Sequence, residues 1–586
     1  MKVVDNLKVV DRQSIKGRRQ NQILDHEWNK KMENANKVQH SNNSIASRVD
    51  DVRLALIVGI VLIVMLAVLT GINSFRGMMV ALVLFLLVLV VPRPVLIVYG
   101  LALIMPLTDG LARGAVVPIL RLGQALLMLA FILFLLARPG PLGKTRLTAI
   151  DLAFGLFFLS EAVFPVLALY YRGQHLDLSS FGGSGTPLQT LLGPLQYYLV
   201  YRIAVATITS EKQITIVLKL IFVASIAVSV IGILEKFVTP VATLIQTYYP
   251  PIAWQNAGPI SAGRIPTLIQ TNYPPMALQN TDPFSAGRIT STMEAYTALA
   301  SYLTATLIVA VACSTVQKRL KISPLLLATT LLLDSMALLL TGTFASFFGL
   351  AVGAAVVFML FRRLPKWIII APVGIALSAL IFQSFISARL TDWLGGTDQG
   401  LFPTFGSRII LWKEVFLPAI SQHLLFGSGP APAALNAWPT EETQYLGLLL
   451  RGGLPYFFSY FLLMGVAMAT CWRRIKNKSN DLVRTVAIAT LAILVAIIVM
   501  NVSSLYFTYP GITQTLFMLL AIIVASEQFE VQGSSAAVEQ MRDETTGIVV
   551  GKPADGLLTG KRLLLSSMPK ATRPYRNTPS WKGPGA

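Results

Sequence analysis

The chain has 586 residues, of which 54% are hydrophobic and only 13% are charged, and its mean hydropathy is +0.64. Soluble proteins carry about 25% charged residues, whereas residues 54–526 hold just 44 charged side chains. So few charges cannot solvate the surface of a globular protein. The composition therefore excludes a soluble enzyme, a disordered protein and a disulfide scaffold, and it indicates an integral membrane protein.

The net charge of +20 would suggest a nucleic-acid partner in a soluble chain. In a membrane protein, basic loops orient helices against anionic lipid, so we expect membrane lipid and no nucleic acid as a partner. The two cysteines, Cys313 and Cys471, fall at predicted cytoplasmic helix ends, and the four histidines show no metal-ligand spacing. We therefore predict no disulfide, no metal site and no cofactor.

Polar tails flank the apolar part of the chain. Residues 1–53 show no sustained apolar period and predict a disordered cytoplasmic tail. The first long apolar run begins only at Leu54, which argues against a signal peptide. Residues 526–586 predict a second cytoplasmic tail, which is basic from Lys561 onward and suited to an anionic membrane surface.

Transmembrane helices are predicted over residues 54–235, 293–385 and 445–525. Fourteen apolar runs fall at 54–72, 77–91, 94–107, 118–137, 148–170, 190–208, 214–235, 293–313, 323–341, 344–361, 367–385, 454–471, 485–504 and 511–525. A span needs about 20 residues. The short second and third runs are therefore either two tight spans or a re-entrant pair, and we predict an all-α polytopic membrane protein with about 12–14 transmembrane helices.

The basic residues predict the orientation of these helices. If the N-terminus is inside, the cytoplasmic connections hold 18 of the 29 basic residues in residues 54–526. This predicts a membrane protein with both termini in the cytoplasm and two long extracytoplasmic loops, 236–292 and 386–444. Loops of this size in a compact membrane protein are usually functional.

The first predicted loop contains a tandem duplication with a period of 24 residues. Residues 243–266 and 267–290 share 17 identical positions, and each copy ends in Ser-Ala-Gly-Arg-Ile, which contributes Arg264 and Arg288. Two copies are too few for a solenoid. We favour a recent loop duplication without a new function over a doubled binding site.

Several polar and small residues fall inside the predicted spans. Asp151 is expected to be solvated at the cytoplasmic end of its span. Glu161 and Asp334 lie deeper, where a carboxylate is costly; a proton relay or an interhelical hydrogen bond would account for each, and we favour the hydrogen bond. Gly349 and Gly353 have the spacing of a close helix contact.

The motifs that carry chemical information lie in and around the two predicted loops. They read Gly287-Arg288-Ile-Thr, Leu340-Thr-Gly-Thr343-Phe344-Ala-Ser, Gly406-Ser-Arg408-Ile-Ile-Leu-Trp412, Leu425-Phe-Gly427-Ser-Gly429 and Thr440-Glu441-Glu442-Thr-Gln-Tyr445-Leu. In this order they resemble the O-antigen ligase and O-antigen/exopolysaccharide polymerase superfamily over about residues 200–520. The chain departs from the ligase pattern at Glu442-Thr443, where many ligases have His-Asn, and at Phe344 and Arg451, where the family often has Arg and Glu.

The resemblance implies a substrate and a set of site residues. Such enzymes transfer a glycan from a polyprenyl-diphosphate carrier to an acceptor glycan outside the membrane, without a metal. Arg288 and Arg408 are then the candidate diphosphate ligands, with Arg264 as the duplicate and Arg389 in reserve. Glu442, or else Glu441, is the candidate base, followed one helical turn later by Tyr445.

Each of these assignments has a plainer alternative. Acidic residues at a helix start also serve as caps, which would account for Glu441 and Glu442. Arg408 could instead form a surface pair with Glu414. For the whole chain, the sequence favours a polymerase over a ligase, and the alternative class is a non-enzymatic transporter or flippase of a lipid-linked glycan or another amphiphile.

Overall fold

The computed structural model describes nine segments of the chain and five isolated positions between residues 373 and 387. The segments are 94–111, 122–137, 147–171, 187–249, 288–293, 295–361, 408–429, 443–477 and 480–527. Within them all regular structure is helical and no strand occurs, which confirms the predicted all-α class. Nearly all of both tails, the runs 54–72 and 77–91, and nearly all of the run 367–385 lie outside the described residues.

The main helices follow the predicted apolar runs. In chain order they are α1 (Val95–Thr108), α2 (Leu122–Ala137), α3 (Ala149–Tyr171), α4 (Pro187–Thr207), α5 (Glu211–Phe237), α6 (Thr239–Tyr248), α7 (Tyr296–Thr315), α8 (Pro324–Thr341), α9 (Phe344–Phe361), α10 (408–422), α11 (Gln444–Lys476), α12 (Asp481–Met500) and α13 (Pro510–Glu527). Seven of them, α5, α7, α8, α9, α11, α12 and α13, are long and apolar enough to cross a membrane. The described part of the chain is thus compatible with a multi-pass membrane protein.

Eleven of the fourteen predicted runs correspond to these helices. Proline stands in the first turn of α4, α8 and α13, a position where its missing N–H costs no helical hydrogen bond. The largest difference is at α11, which begins at Gln444, ten residues before the predicted run 454–471. The extra turns are only partly apolar, so hydropathy alone predicted a later start.

Helix α7 forms the centre of the bundle. Its span is 94% buried, and it packs against α5, α8, α9 and α12. Eleven of its twenty residues are Ala, Ser or Thr. Small side chains allow neighbouring helix backbones to approach closely, which is the main source of helix association where the surroundings are as apolar as the helices.

Two glycines on α9 illustrate this close packing. A Cβ atom at Gly349 would lie 2.2 Å from Sδ of Met500 on α12, and one at Gly353 would lie 2.4 Å from Cδ1 of Ile308 on α7. A side chain at either position would force Met500 or Ile308 to move. The structure confirms that the spacing of these glycines serves helix packing.

Asp334 is fully buried on α8 and joins three helices. Its Oδ1 accepts a hydrogen bond of 2.7 Å from the Ser229 hydroxyl on α5. Its Oδ2 accepts one of 2.8 Å from Thr306 on α7 and another from Ser225 on α5. These are the interhelical hydrogen bonds that we favoured from the sequence, and they satisfy a carboxylate in an apolar bundle.

The prediction that Asp151 is solvated is wrong. The residue is only 6% exposed, and its Oδ1 lies 3.2 Å from Nη1 of Arg202. The Tyr198 hydroxyl and the backbone N–H of Thr148 also donate to the carboxylate, at 3.1 and 2.7 Å. The start of α3 packs against α4, so a charge that looks like a water-facing helix end is paired inside the bundle.

The two ends of the bundle differ in charge. At one end Glu211 accepts a hydrogen bond from Asn480, and Arg474 donates to Ser526. The helix ends gathered there carry basic residues, among them Arg202, Lys212, Lys321, Arg473, Arg474 and Lys476. The opposite end collects the start of α7 and the ends of α1, α5, α8 and α12, and the candidate site lies there.

The close contact at Gly353 predicts a loss of stability when a side chain is added. Gly353→Leu should destabilise the protein by about 1–3 kcal/mol, because extra atoms in a packed interior force neighbouring side chains out of place. Thermal unfolding of the purified protein in detergent measures the change. The control is Gly465→Leu on α11, where a Cβ atom meets nothing within 4 Å; equal losses in both variants would contradict the packing role.

Candidate active site

A short non-helical segment, 288–293, leads into α7. Thr290 and Ser291 are fully buried in it, and Thr292 is 2% exposed. Ser291 has a φ of 53°, in the left-handed region. Non-helical backbone within an apolar bundle needs hydrogen-bond partners from the protein itself, and neighbouring helices supply them.

Glu235, in the last turn of α5, supplies the largest share of these partners. Its Oε2 accepts the backbone N–H groups of Ser291 at 2.7 Å and Thr290 at 3.0 Å. Its Oε1 lies 3.3 Å from the Thr290 hydroxyl, which donates to it. The carboxylate is therefore the anchor of the segment.

Other contacts fix the two sides of the segment. The Ser291 hydroxyl donates to the Val228 carbonyl on α5 at 2.6 Å. The Thr292 hydroxyl donates to Pro106 O at 2.9 Å, and the N–H of Gly110 donates to Thr292 O at 2.8 Å. The segment is thus held between the ends of α5 and α1.

Arg288 begins this segment and is one of the predicted diphosphate ligands. Its guanidinium carbon lies 4.3 Å from the centre of the Tyr296 ring, in the first turn of α7, which is a cation–π distance. Its Nε is buried and has no hydrogen-bond partner within the part of the chain that the structure describes. The guanidinium thus packs against an aromatic ring, and its buried Nε has no partner among the described residues.

The two repeats contribute different ends to the structure. The start of the first copy lies on α6, where Ile245 is 1% exposed, and the Tyr249 hydroxyl donates to Leu107 O at 2.9 Å. The end of the second copy forms the anchored segment at Arg288. Residues 250–287, including the candidate Arg264, lie outside the described residues.

The Leu340–Ser346 stretch, which resembles a family motif, lies beside the anchored segment. The N–H of Ile289 is directed at Leu340 O, with 3.5 Å between nitrogen and oxygen. Helix α8 ends at Gly342, and α9 begins at Phe344, which is 37% exposed. Two of the sequence motifs are therefore neighbours in space.

Arg408 lies in the first turn of α10. Its Nη1 donates to Ser503 O at 2.9 Å, in the connection between α12 and α13. The middle of α10 is a π-helical turn, Trp412–Phe416. Its buried face packs against the first part of α11 through a small cluster of Leu411, Phe416, Ile420 and Leu450.

Helix α11 is broken at Gly453, where φ is 67° and ψ is −158°. The sequence accounts for the break, because Pro455 has no N–H to donate to Arg451 O four residues earlier. That carbonyl instead accepts the N–H of Gly429 at 3.0 Å. A short helix, 444–452, is thus separated from the long span that follows.

The other groups released by the break exchange partners in the same way. Leu454 N donates to Leu424 O at 3.0 Å rather than to Leu450 O. Leu450 O accepts the N–H of Ser428 at 2.6 Å. The turn after α10 therefore replaces the missing helical hydrogen bonds, and the two segments form one joint.

Glycine is required on both sides of this joint. Gly427 has a φ of 69°, and a Cβ atom there would lie 2.4 Å from the carbonyl of Arg451. A Cβ atom at Gly453 would lie 2.5 Å from Leu425 O. The Leu-Phe-Gly-Ser-Gly motif and the Gly-Gly pair of α11 are thus complementary surfaces of one contact.

Asn501, fully buried after α12, organises the start of α11. Its carbonyl accepts the Thr443 hydroxyl at 2.9 Å and the Gln444 N–H at 3.0 Å. Its side chain donates to the Tyr460 hydroxyl at 2.7 Å and accepts the N–H of Phe507 at 3.2 Å. One asparagine thus connects three segments of the site.

The predicted catalytic residues are only partly described. Tyr445 donates from its hydroxyl to Ile498 O at 2.5 Å, and its ring stacks on Phe461. The hydrogen bond ties the start of α11 to the end of α12, and the ring contact ties it to the later part of α11. Glu441 and Glu442 lie outside the described residues, next to Thr443, which is 4% exposed and held on Asn501.

Tyr506 connects the neighbourhoods of the two arginines. It is fully buried, and it lies within electrostatic range of Arg408 and of Tyr296, the partner of Arg288. Burial raises the pKa of Tyr506 to about 12, although the Arg408 charge opposes the shift. The phenol therefore stays protonated near neutral pH and can act only as a neutral hydrogen-bonding group.

Glu161 on α3 lies near the joint of α11. The Tyr456 hydroxyl is its hydrogen-bond partner, and Arg451 lies within electrostatic range. Its Oε2 is buried without a hydrogen-bond partner among the described residues. As with Asp334, an interhelical hydrogen bond is present, here between α3 and α11.

Four of the residues that build the site carried no functional assignment from the sequence: Glu235, Tyr296, Asn501 and Tyr506. The charge of Glu235 at the end of an apolar run was a visible signal, since such a carboxylate needs a partner. The other three could have been singled out only as polar groups at helix ends. The contact between Tyr296 and Arg288 spans only eight residues, but the bond of Asn501 to Thr443 and the interaction of Tyr506 with Arg408 join distant parts of the chain that no local pattern connects.

The site contains arginines and carboxylates but no evident metal-binding constellation. Among the described residues, no three His, Cys, Asp or Glu side chains are grouped so that they could hold a metal ion. No protein-family model matches the sequence, and no curated protein shows significant similarity to it.

The two repeats should not be interchangeable. Deleting 250–273 removes one period and keeps both Tyr249 and Arg288, so we expect a stable protein. Deleting 267–290 removes the same number of residues but joins Pro266 to Ser291, so that Pro266 takes the place of Thr290.

Proline there lacks the N–H and the hydroxyl that Glu235 accepts. We therefore expect the second deletion to cost about 1–3 kcal/mol of stability or more, because a buried charged acceptor loses its donors. Thermal unfolding and size-exclusion profiles in detergent compare the two deletions. Equal stability would show that the Thr290 contacts are not needed.

Proposed function

We propose that this chain is a membrane glycosyltransferase of the O-antigen ligase and polysaccharide polymerase type. It transfers polyprenyl-diphosphate-linked glycan units to an acceptor glycan at the outer face of a bacterial plasma membrane. A polymerase is favoured over a ligase, because the sequence has Glu442-Thr443 where many ligases have His-Asn. The proposal requires no metal and no cofactor.

One observation carries the proposal. Arg288 packs on Tyr296, and Tyr506 lies within electrostatic range of both Tyr296 and Arg408; these four residues, which bring together two arginines far apart in sequence, are called the arginine network. The same network reaches Ser503, two residues from the Asn501 carbonyl that holds the start of α11. Two cations near the helix start that Glu441 and Glu442 precede in the sequence suit a reaction with an anionic leaving group.

The chemistry accounts for the need for arginines. The acceptor hydroxyl attacks the anomeric carbon, the bond from that carbon to the diphosphate oxygen breaks, and the polyprenyl diphosphate leaves with additional negative charge. A guanidinium can bind two phosphate oxygens at once, and fixed cations stabilise charge that develops in the transition state. Arg288 and Arg408 are assigned this role, with Arg264 as the duplicate of Arg288.

The acceptor hydroxyl must also lose its proton. A carboxylate within hydrogen-bond reach can take it as a general base. Glu442, or else Glu441, is assigned this role, since both directly precede the anchored Thr443. Tyr445 is assigned to holding this helix start, because its hydroxyl is bonded to Ile498 O.

The proposal includes a topology. The end of the bundle that carries the arginine network faces outward, and the end that collects the basic helix termini faces the cytoplasm, as expected for positively charged inside connections. When the predicted spans that lie outside the described residues are counted as well, the chain has about 12–14 transmembrane helices. The loops 236–292 and 386–444 are then extracytoplasmic, and both termini are cytoplasmic.

A transporter or flippase is the alternative. It would require charged groups that face a translocation path in the middle of the bilayer. Asp334 is such a buried group, but three hydroxyl groups from α5 and α7 satisfy it. The arginines instead lie at helix ends, which supports transfer at the membrane surface.

Glycan chain length separates the proposed activities. If the gene is deleted and long chains disappear while single repeat units remain, the protein is a polymerase. Loss of all transfer to a separate anchor indicates a ligase. Lipid-linked glycan trapped on the inner face would support the flippase.

Arg408 should not be replaceable by lysine. Arg408→Lys keeps one donor for the Ser503 carbonyl but loses the planar two-point contact, so we expect turnover to fall nearly as far as in Arg408→Ala. The expected loss is about 100- to 1000-fold, measured with lipid-linked repeat units and the purified enzyme. Lys413→Met, an exposed position on the same helix, is the control. Full activity of Arg408→Lys would show that Arg408 does not bind the diphosphate and only holds the Ser503 carbonyl.

Glu442→Gln distinguishes a base from a helix cap. It preserves volume and much of the hydrogen bonding at the helix start but removes the proton acceptor. A base predicts a folded protein with turnover reduced about 100-fold or more, whereas a cap predicts about 1 kcal/mol of lost stability and near-normal turnover. Glu414→Gln on α10 is the control. If Glu441→Gln is active as well, the base must be sought at Asp392, Asp398 or His423.

A further inference from the structure

The face of α5 that meets the anchored segment is built from three residues. Val228, Gly232 and Glu235 lie one and two turns apart and point to the same side of the helix. Val228 offers its carbonyl to the Ser291 hydroxyl, and Glu235 binds the backbone of the segment. Between them, Gly232 leaves the space that the segment occupies.

The fit at Gly232 is close. A Cβ atom there would lie 3.0 Å from Cδ1 of Ile289 and 3.2 Å from Cβ of Ser291. The three contacts together allow little shift of the segment relative to α5. The backbone directly after Arg288 is therefore held in place by α5, while α1 holds the segment at Thr292.

Arg288 is restrained from two sides. Two residues after it, Thr290 is bonded to Glu235 through both its N–H and its hydroxyl. Its guanidinium carbon is 4.3 Å from the centre of the Tyr296 ring. A shift of the backbone at Thr290 would move the guanidinium away from that ring.

We infer that Glu235 is a positioning residue, whose carboxylate holds Arg288 in the orientation that binds the diphosphate. The inference rests on the proposed function. Glu235 also occupies the N–H groups of Thr290 and Ser291, so these amides are not available to a phosphate. At this segment the diphosphate can therefore be held by the Arg288 side chain but not by these two amides, so the position of the guanidinium decides whether it binds.

A double-mutant cycle tests whether Glu235 acts through Arg288. The variants are Glu235→Gln, Arg288→Ala and the double variant, assayed with lipid-linked repeat units, and Glu211→Gln at the exposed start of α5 is the control. A displaced binding group typically costs about 100-fold, so we expect Glu235→Gln to lower kcat/KM by about that factor. In the Arg288→Ala background the same change should have almost no further effect. Losses that multiply would overturn the inference.

A second variant keeps the test valid if Glu235→Gln does not fold. Gly232→Ala adds one methyl group against Ile289 and Ser291 and leaves the carboxylate intact. We expect a smaller loss of kcat/KM, which Arg288→Ala should again suppress. A loss in Gly232→Ala that persists unchanged in the Arg288→Ala background would contradict the inference.

A readout that does not depend on activity separates this inference from the proposed function. Arg288→Cys is prepared in a chain whose native Cys313 and Cys471 are replaced by alanine, and its rate of reaction with a thiol reagent is measured. Adding Glu235→Gln should raise that rate several-fold, while adding Glu211→Gln should leave it unchanged. An unchanged rate with Glu235→Gln overturns the inference, whatever the activity. If the wild-type protein has no transferase activity but Glu235→Gln still raises the labelling rate, only the proposed function is refuted.

Discussion

Backbone polar groups within an apolar bundle need partners, and the architecture of the site depends on how the segment 288–293 meets that need. A helix satisfies its own N–H and C=O groups, but this segment cannot, since Ser291 takes a left-handed conformation. The carboxylate of Glu235 accepts from two N–H groups and one hydroxyl. Because Arg288 and the start of α7 flank the segment, their positions follow from this contact.

The same principle shapes the opposite wall of the site. At the end of α12, Asn501 uses its carbonyl and its side chain to bind the start of α11, Tyr460 and Phe507. Thr443 and Phe507 lie just outside the main helices, whereas Tyr460 lies within α11, so Asn501 ties the chain between helices to a transmembrane helix. Buried polar groups are costly when unpaired, so the connection between α12 and α13 has few alternative conformations.

The sequence predicted the helices well, because an apolar run of about 20 residues matches the length that a helix needs to cross a bilayer. It failed at Asp151, since the identity of a polar residue does not reveal whether a partner such as Arg202 is near. The start of α11 was placed too late because its first turns are amphipathic and hydropathy does not register them.

The motifs of the site were recognised in the sequence, but their spatial arrangement was not. Arg288 was preferred over Arg264 because it adjoins the next helix, and the structure adds that Thr290 follows it where Pro266 follows the other copy. The importance of this difference could not be recognised in the sequence, because it depends on the Glu235 carboxylate, which accepts the hydrogen bonds of Thr290. Glu235 lies 55 residues from Thr290 along the chain, and no local pattern connects the two.

The joint at Gly453 has a consequence for motion. A broken helix is often a hinge, but here the three backbone groups that the break releases are bound by the turn 424–429. Swinging the short helix 444–452 away would break these hydrogen bonds together, at a cost of about 0.5–1.5 kcal/mol each. The joint is therefore rigid, and α10 and the start of α11 move as one body. A site built on such a body has its charges oriented before any substrate arrives, which is the condition under which fixed dipoles and cations act most strongly.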